Sequence, residues 1–141
     1  MKTMKGTMSL KTNTLETGQL YTAFLRYQND DGTFLPDNQG KPRPVLLIQD
    51  PVDKKFYLHK VTGQVHKSLN KKYGYEVEDW KEAGLKSPSI VKCNIDNRFE
   101  IESNTLRKCF GKLSENDLIG FTSKLVKVRR LEQQNNHELD R

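Results

Sequence analysis

The sequence predicts a mainly β domain closed by one C-terminal α-helix, folded as a small twisted antiparallel barrel. Three observations carry that expectation. Short β-prone runs recur between turn-forming residues from Gly18 onward. A four-residue apolar run, Val45 to Ile48, is too short for a helix and reads as a strand buried on both faces. One helical apolar stripe appears, near the end of the chain, and short strands followed by a single helix fit a small barrel. The 141 residues amount to one domain. Their apolar members, concentrated between Gly18 and Leu131, suffice for one modest core. No internal repeat is present.

Residues 1–16 are rich in Lys, Thr and Met without periodicity and read as a disordered arm. The domain proper is expected over 17–131, followed by a polar tail, 132–141, that frays. The first strand is Gln19 to Leu25, entered through Gly18. Residues 28–42 carry Asn29, Asp30, Asp31, Gly32, Pro36, Asp37, Asn38 and Gly40, a long loop of the kind that is functional or mobile. The central strand should begin at or just after Pro44, because neither Pro42 nor Pro44 donates to a ladder. Asp50-Pro51 turns the chain. Phe56 to Thr62 forms the next strand, with Phe56, Leu58 and Thr62 on one face and Tyr57, His59 and Val61 on the other. Gln64 to Lys72 is polar and basic and reads as a second mobile loop.

Tyr75 to Val77 is a short strand. Glu78 to Ala83 makes one helical turn around Trp80, stopped by Gly84. Strands follow at Ser89–Ile95, Asn97–Ile101 and Thr105-Leu106. Ser114 is the N-cap of the one long helix, and Glu115 and Asp117 suit its positive end. Leu118, Phe121, Leu125 and Val128 then fall on one stripe facing a core.

The formal charge of +6 favours a polyanionic partner, and nucleic acid over membrane because no basic amphipathic stretch with bulky apolar residues occurs. A soluble protein that merely happens to be basic fits the same number. Cys93 and Cys109 form no C-x-x-C, and His59, His66 and His137 share no metal-ligand spacing with them. No disulfide framework, metal or cofactor is therefore expected. Neither an apolar signal core nor a membrane span occurs, which predicts a cytoplasmic chain with reduced thiols.

The sequence lacks G-x-S-x-G, a P-loop, a dinucleotide fingerprint and H-E-x-x-H. What remains is Arg43, held between two prolines at the mouth of a core strand, and Thr62 at the end of the next, followed by Gly63 and a basic loop. A guanidinium so placed suits a phosphate, although it suits the carbonyls of a strand end equally. Cleavage of RNA through its own 2′-OH needs only such parts: a cation on the phosphorane, a donor that positions it, and a weak base.

The order of these features resembles the MazF/PemK family of toxin endoribonucleases. The likeness runs through Thr17-Gly18-Gln19-Leu20-Tyr21, Arg43-Pro44-Val45-Leu46-Leu47-Ile48-Gln49-Asp50, Val61-Thr62-Gly63-Gln64 and Tyr75-Glu76-Val77. It continues through Gly84-Leu85-Lys86-Ser87-Pro88-Ser89-Ile90-Val91 and Gly111-Lys112-Leu113-Ser114, and covers about residues 17–128. The resemblance implies an SH3-like barrel, a homodimer with single-stranded mRNA across its interface, a short antitoxin in the RNA groove, and metal-independent cleavage at a short sequence. Arg43 and Thr62 match the cleavage residues. One branch of the family also uses an arginine and an aspartate, which here are Lys92 and Asn94, and a neutral Asn94 cannot act as a base.

His66, in the loop after Thr62, is the replacement candidate, because imidazole titrates near neutrality. His59 has the wrong strand parity, and the plainer reading of either histidine is a non-catalytic one. Gln64, Lys67, Lys71, Lys72, Lys92 and Asn94 are the candidate RNA contacts. Two rivals share the fold: a non-catalytic binding toxin like the gyrase poisons, and an inactive RNA-binding module.

Overall fold

The structure is a computed structural model that describes residues 15–27, 29–31, 33–36, 39–101 and 106–139. The arm expected over residues 1–16 lies outside these except for its last two residues, as does Thr105. One antiparallel sheet of seven strands carries the fold. Its members are β1 (Gln19–Arg26), β2 (Gly40–Gln49), β3 (Phe56–Thr62), β4 (Gly74–Glu76), β5 (Ile90–Lys92), β6 (Arg98–Glu100) and β7 (Leu106–Lys112). Helices α1 (Ser68–Tyr73) and α2 (Glu115–Leu139) complete it. The pairing order is β4–β5–β3–β2–β1–β7, with β6 also on β3. The end strands β4 and β7 do not pair with each other, so the expected barrel is an open one.

The run Val45–Ile48 is buried on both faces, and alternation divides it between two cores. Leu46 and Ile48 join Leu20, Val61 and Val91 under the helix residues Phe121, Leu125 and Val128. Val45 and Leu47 join Tyr21, Ala23 and Leu58 on the opposite face. The helical stripe of α2 is therefore the lid of the first core. Ser114 Oγ accepts the Asp117 amide at 3.1 Å, closing the N-cap. Fully buried Asp117 accepts in turn from the Tyr75 hydroxyl (2.6 Å) and the Glu78 and Asp79 amides, which locks the 78–84 turn onto the helix.

Two glycines make the rest of that junction possible. Gly84 ends the turn at φ +93°, where a side chain would be strained. A Cβ on Gly111 would lie 1.7 Å from the Ala83 carbonyl oxygen, so only glycine lets β7 pass this closely.

Several expectations change. The strand expected over Ser89–Ile95 shortens to Ile90–Lys92, with Ile95 in a 3₁₀ turn, and the one expected to end at Leu106 runs on to Lys112. β2 begins at Gly40, upstream of both prolines. Tyr27 donates to the Gln39 carbonyl, so alternation along the β1–β2 register puts Pro42 and Pro44 at positions that owe β1 no hydrogen bond. Their missing N–H groups fall on the side from which β3 has already departed, since β2–β3 pairing stops at Val45–Lys60. The polar segment after Gly63 contains a helical turn and a half, α1, which packs against β4 and β5. Helix α2 continues to Leu139 instead of ending near Leu131.

A buried ion cluster pins the far end of the sheet. Asp50, 2% exposed, meets Arg98 of β6 at 2.7 Å and Arg129 of α2, and accepts the Val52 and Asp53 amides. Arg98 also lies 3.8 Å from the centre of the Tyr57 ring. Burial alone would push the Asp50 carboxyl up. The Arg129 guanidinium and the two amides together hold it well below the usual carboxylate range.

Candidate functional site

Arg43 and Thr62 share a face of the sheet. Arg43 alternates with Val45 and Leu47 on β2, and Thr62 with Lys60 and Leu58 on β3. The last β2–β3 pair is Val45–Lys60, so Arg43 and Thr62 each lie two residues beyond it, on the same face at the point where the strands part. Arg43 is exposed and, among the described residues, has no carboxylate partner. Thr62 is half-buried, and its Oγ1 accepts the Gln64 amide at 3.1 Å. That bond uses an oxygen lone pair and leaves the hydroxyl hydrogen free to donate outward.

Arg43, but not Thr62, lines a cleft of about 570 Å³, together with Pro42, Pro44, Gly63, Ser87 and Phe110 among others. Its walls are two strand mouths and the segment that the Gly84 turn launches. A Cβ on Gly63 would stand 3.4 Å from Ser87 Oγ, so this segment closes directly over the end of β3.

The other predicted residues spread around this point. Gln64, His66 and Lys67 are exposed in the turn between β3 and α1, and Lys71 and Lys72 are exposed on α1. Asn70 anchors the turn by donating to the Gln64 carbonyl at 2.9 Å. Lys92 is half-buried at the end of β5, and Asn94 is the N-cap residue of the short 3₁₀ turn Ile95–Asn97. His59 is buried on the helix side, where its ring meets Phe121 edge-on at 5.2 Å. Its Nδ1 lies 2.9 Å from the Lys92 carbonyl oxygen, a contact that requires the nitrogen to donate. Burial lowers its pKa to about 4, so it stays neutral and structural. Burial pushes the Cys93 thiol up to about 12, which leaves it inert as a nucleophile.

Lys60 was not among the predicted residues. The alternation that sets Thr62 beside Leu58 also sets Lys60 between them, so strand parity was the signal that could have found it. Among the described residues, no group of three or more His, Cys, Asp or Glu side chains is placed to hold a metal ion. No described helix is long and apolar enough to cross a membrane.

An open antiparallel sheet of this kind with a C-terminal helix is similar in fold to the MazF toxins. The solved structure of the Mycobacterium tuberculosis toxin MazF-mt6 aligns with a TM-score of 0.50 and 21% identity, over 77% of this chain and 96% of that one. No family model matches the sequence. No curated protein matches it either.

Proposed function

We propose that this protein is a toxin of the MazF/PemK type, an endoribonuclease that cuts single-stranded RNA by attack of the 2′-OH, without a metal. The observation that carries this reading is the pairing of Arg43 and Thr62 at one sheet mouth, a free guanidinium beside a hydroxyl whose hydrogen is unused. Arg43 bridges two phosphate oxygens and gains most as negative charge builds on the phosphorane. Thr62 donates to the same group and fixes its orientation. The 2′ oxygen forms its bond to phosphorus as the bond to the 5′ oxygen breaks. The 2′ proton leaves to a weak base, for which His66 is the candidate, and the departing 5′ oxygen takes up a proton.

A homodimer that presents the groove, and an antitoxin that covers it, belong to the same reading. So does a cytoplasmic site of action, where mRNA is the substrate.

The test is incubation of the pure protein with a long single-stranded RNA in EDTA. Discrete cuts ending in 2′,3′-cyclic phosphate or 3′-phosphate are expected. A 2′-deoxyribose just before the scissile phosphate should abolish the cut while preserving binding. Rapid cutting of that substituted substrate, or a strict need for magnesium, would refute the mechanism. Neutral Asn94, standing where one branch of the family carries an aspartate, favours a second reading as a non-cutting RNA-binding module. Binding without cleavage in the same assay would establish it.

RNA affinity should also fall as salt rises, because Lys67, Lys71 and Lys72 displace phosphate counterions. Replacing the three with alanine is expected to weaken binding and flatten the salt slope while the melting temperature holds. An unchanged slope would route the RNA away from α1.

A further inference from the structure

We infer that Lys60 and Lys92 form a second phosphate subsite, which grips the RNA backbone at a linkage next to the one cut. This rests on the ribonuclease reading for the identity of the polyanion, and on the sheet alone for the existence of the site.

The β3–β5 ladder pairs Thr62 with Ile90 and Val61 with Val91. One step further along that register Lys60 comes opposite Lys92, whose carbonyl lies 2.9 Å from Nδ1 of the adjoining His59. There the ladder breaks, and pairing resumes with Arg98 opposite His59, so residues 93–97 bulge out of register. The two lysines thus stand opposite each other at the lip of a break, on the face that carries Thr62.

The backbone around the break is held from both sides. The Lys92 carbonyl meets His59 Nδ1, and the Cys93 amide donates to the Tyr73 carbonyl at 2.9 Å. Lys92 is therefore fixed at its root.

Directly opposed like charges destabilise a sheet. Here they come without relief, since no described carboxylate pairs with Lys60, Lys67 or Lys92. Burial, and after it the charges of Lys60 and Lys67, lowers the pKa of Lys92. A fold that keeps two facing lysines half-buried with no acid between them has room for an anion that the chain does not supply. Lys60 lies two residues from Thr62, about 6.6 Å along the strand. That separation is of the order of one step along an extended RNA backbone. The sharp competing account is that the two stems merely cover apolar surface with their heads in water.

The experiment uses full-length protein and a 2′-O-methyl oligoribonucleotide, which cannot be cut, titrated across salt in EDTA. Lys60→Met keeps the stem and removes the charge. Roughly tenfold weaker binding is expected, the worth of one charge-assisted contact. The slope of log affinity against log salt should shrink by about 0.7, the value for one phosphate on a single strand. The melting temperature should hold or rise, because a repulsion has been relieved. Lys60→Met with Lys92→Met should double the loss of slope. An unchanged slope, or weaker binding that tracks a lower melting temperature, would overturn the subsite. A wild-type protein that binds this probe in the expected way yet leaves ordinary RNA intact would refute the nuclease and keep the subsite. One that cuts RNA but whose Lys60→Met slope is unchanged would do the reverse.

Discussion

Arg43→Ala is expected to slow RNA cleavage at least about a hundredfold, the range seen when one donor to a developing oxyanion is removed. The exposed position of Arg43, and its lack of an acidic partner among the described residues, predict that the fold survives the change. Arg43→Lys should fail almost as badly, because an ammonium is a point charge and cannot span two phosphate oxygens in parallel. Single-turnover rates on a saturating RNA, with circular dichroism of each variant, check both claims. A rate within about threefold of wild type in Arg43→Ala would remove the guanidinium from the mechanism. Loss of folding would make it a strand-end structural residue instead.

The second large effect concerns stability. Asp50→Ala is expected to cost about 3 kcal/mol, since it strands two guanidinium groups and two amides that now converge on one buried carboxylate. The same end of the molecule predicts an acid limit in two stages. His59 is neutral and buried with its pKa lowered to about 4, whereas in the unfolded chain it titrates near 6.5. Between those values the unfolded state binds more protons, so stability is full above pH 6.5 and drains as pH falls towards 4. The integrated loss is about 3 kcal/mol. Below that, Asp50 adds its own term. Its folded pKa is depressed, so its contribution is complete above the ordinary carboxylate value and disappears as pH falls through the folded one. Urea unfolding between pH 4 and 8 checks the first stage: His59→Gln should be less stable at pH 8 but nearly flat across the window. A wild-type midpoint that does not move between pH 7 and 5 would contradict the buried neutral imidazole.

Some of this molecule was settled by local sequence. Val45–Ile48 could only be a strand buried twice over, and the stripe Leu118, Phe121, Leu125, Val128 could only face a core, because strand and helix periods are properties of adjacent residues. Ser114 as N-cap and Gly84 as the stop of the Trp80 turn are equally local, one a side-chain oxygen near an amide, the other a backbone that needs positive φ. Arg43 and Thr62 were picked out by the company they keep in the chain. That they share one face at neighbouring strand ends followed from the β2–β3 register, which no short window contains.

Tertiary structure decided the rest. Pro42 and Pro44 sit inside β2 because the partner on their donor side has already left, a fact about β3 and not about proline. The polar run after Gly63 gains α1 by packing on β4 and β5. Asp50 reads as an ordinary turn residue until Arg98 and Arg129, 48 and 79 positions away, close on it. Lys60 and Lys92 become a pair only because the ladder carries Val61 and Thr62 past β5 and then breaks. Each of these depends on which strand lies beside which, and long-range pairing is set by the whole core and not by the residues that it brings together.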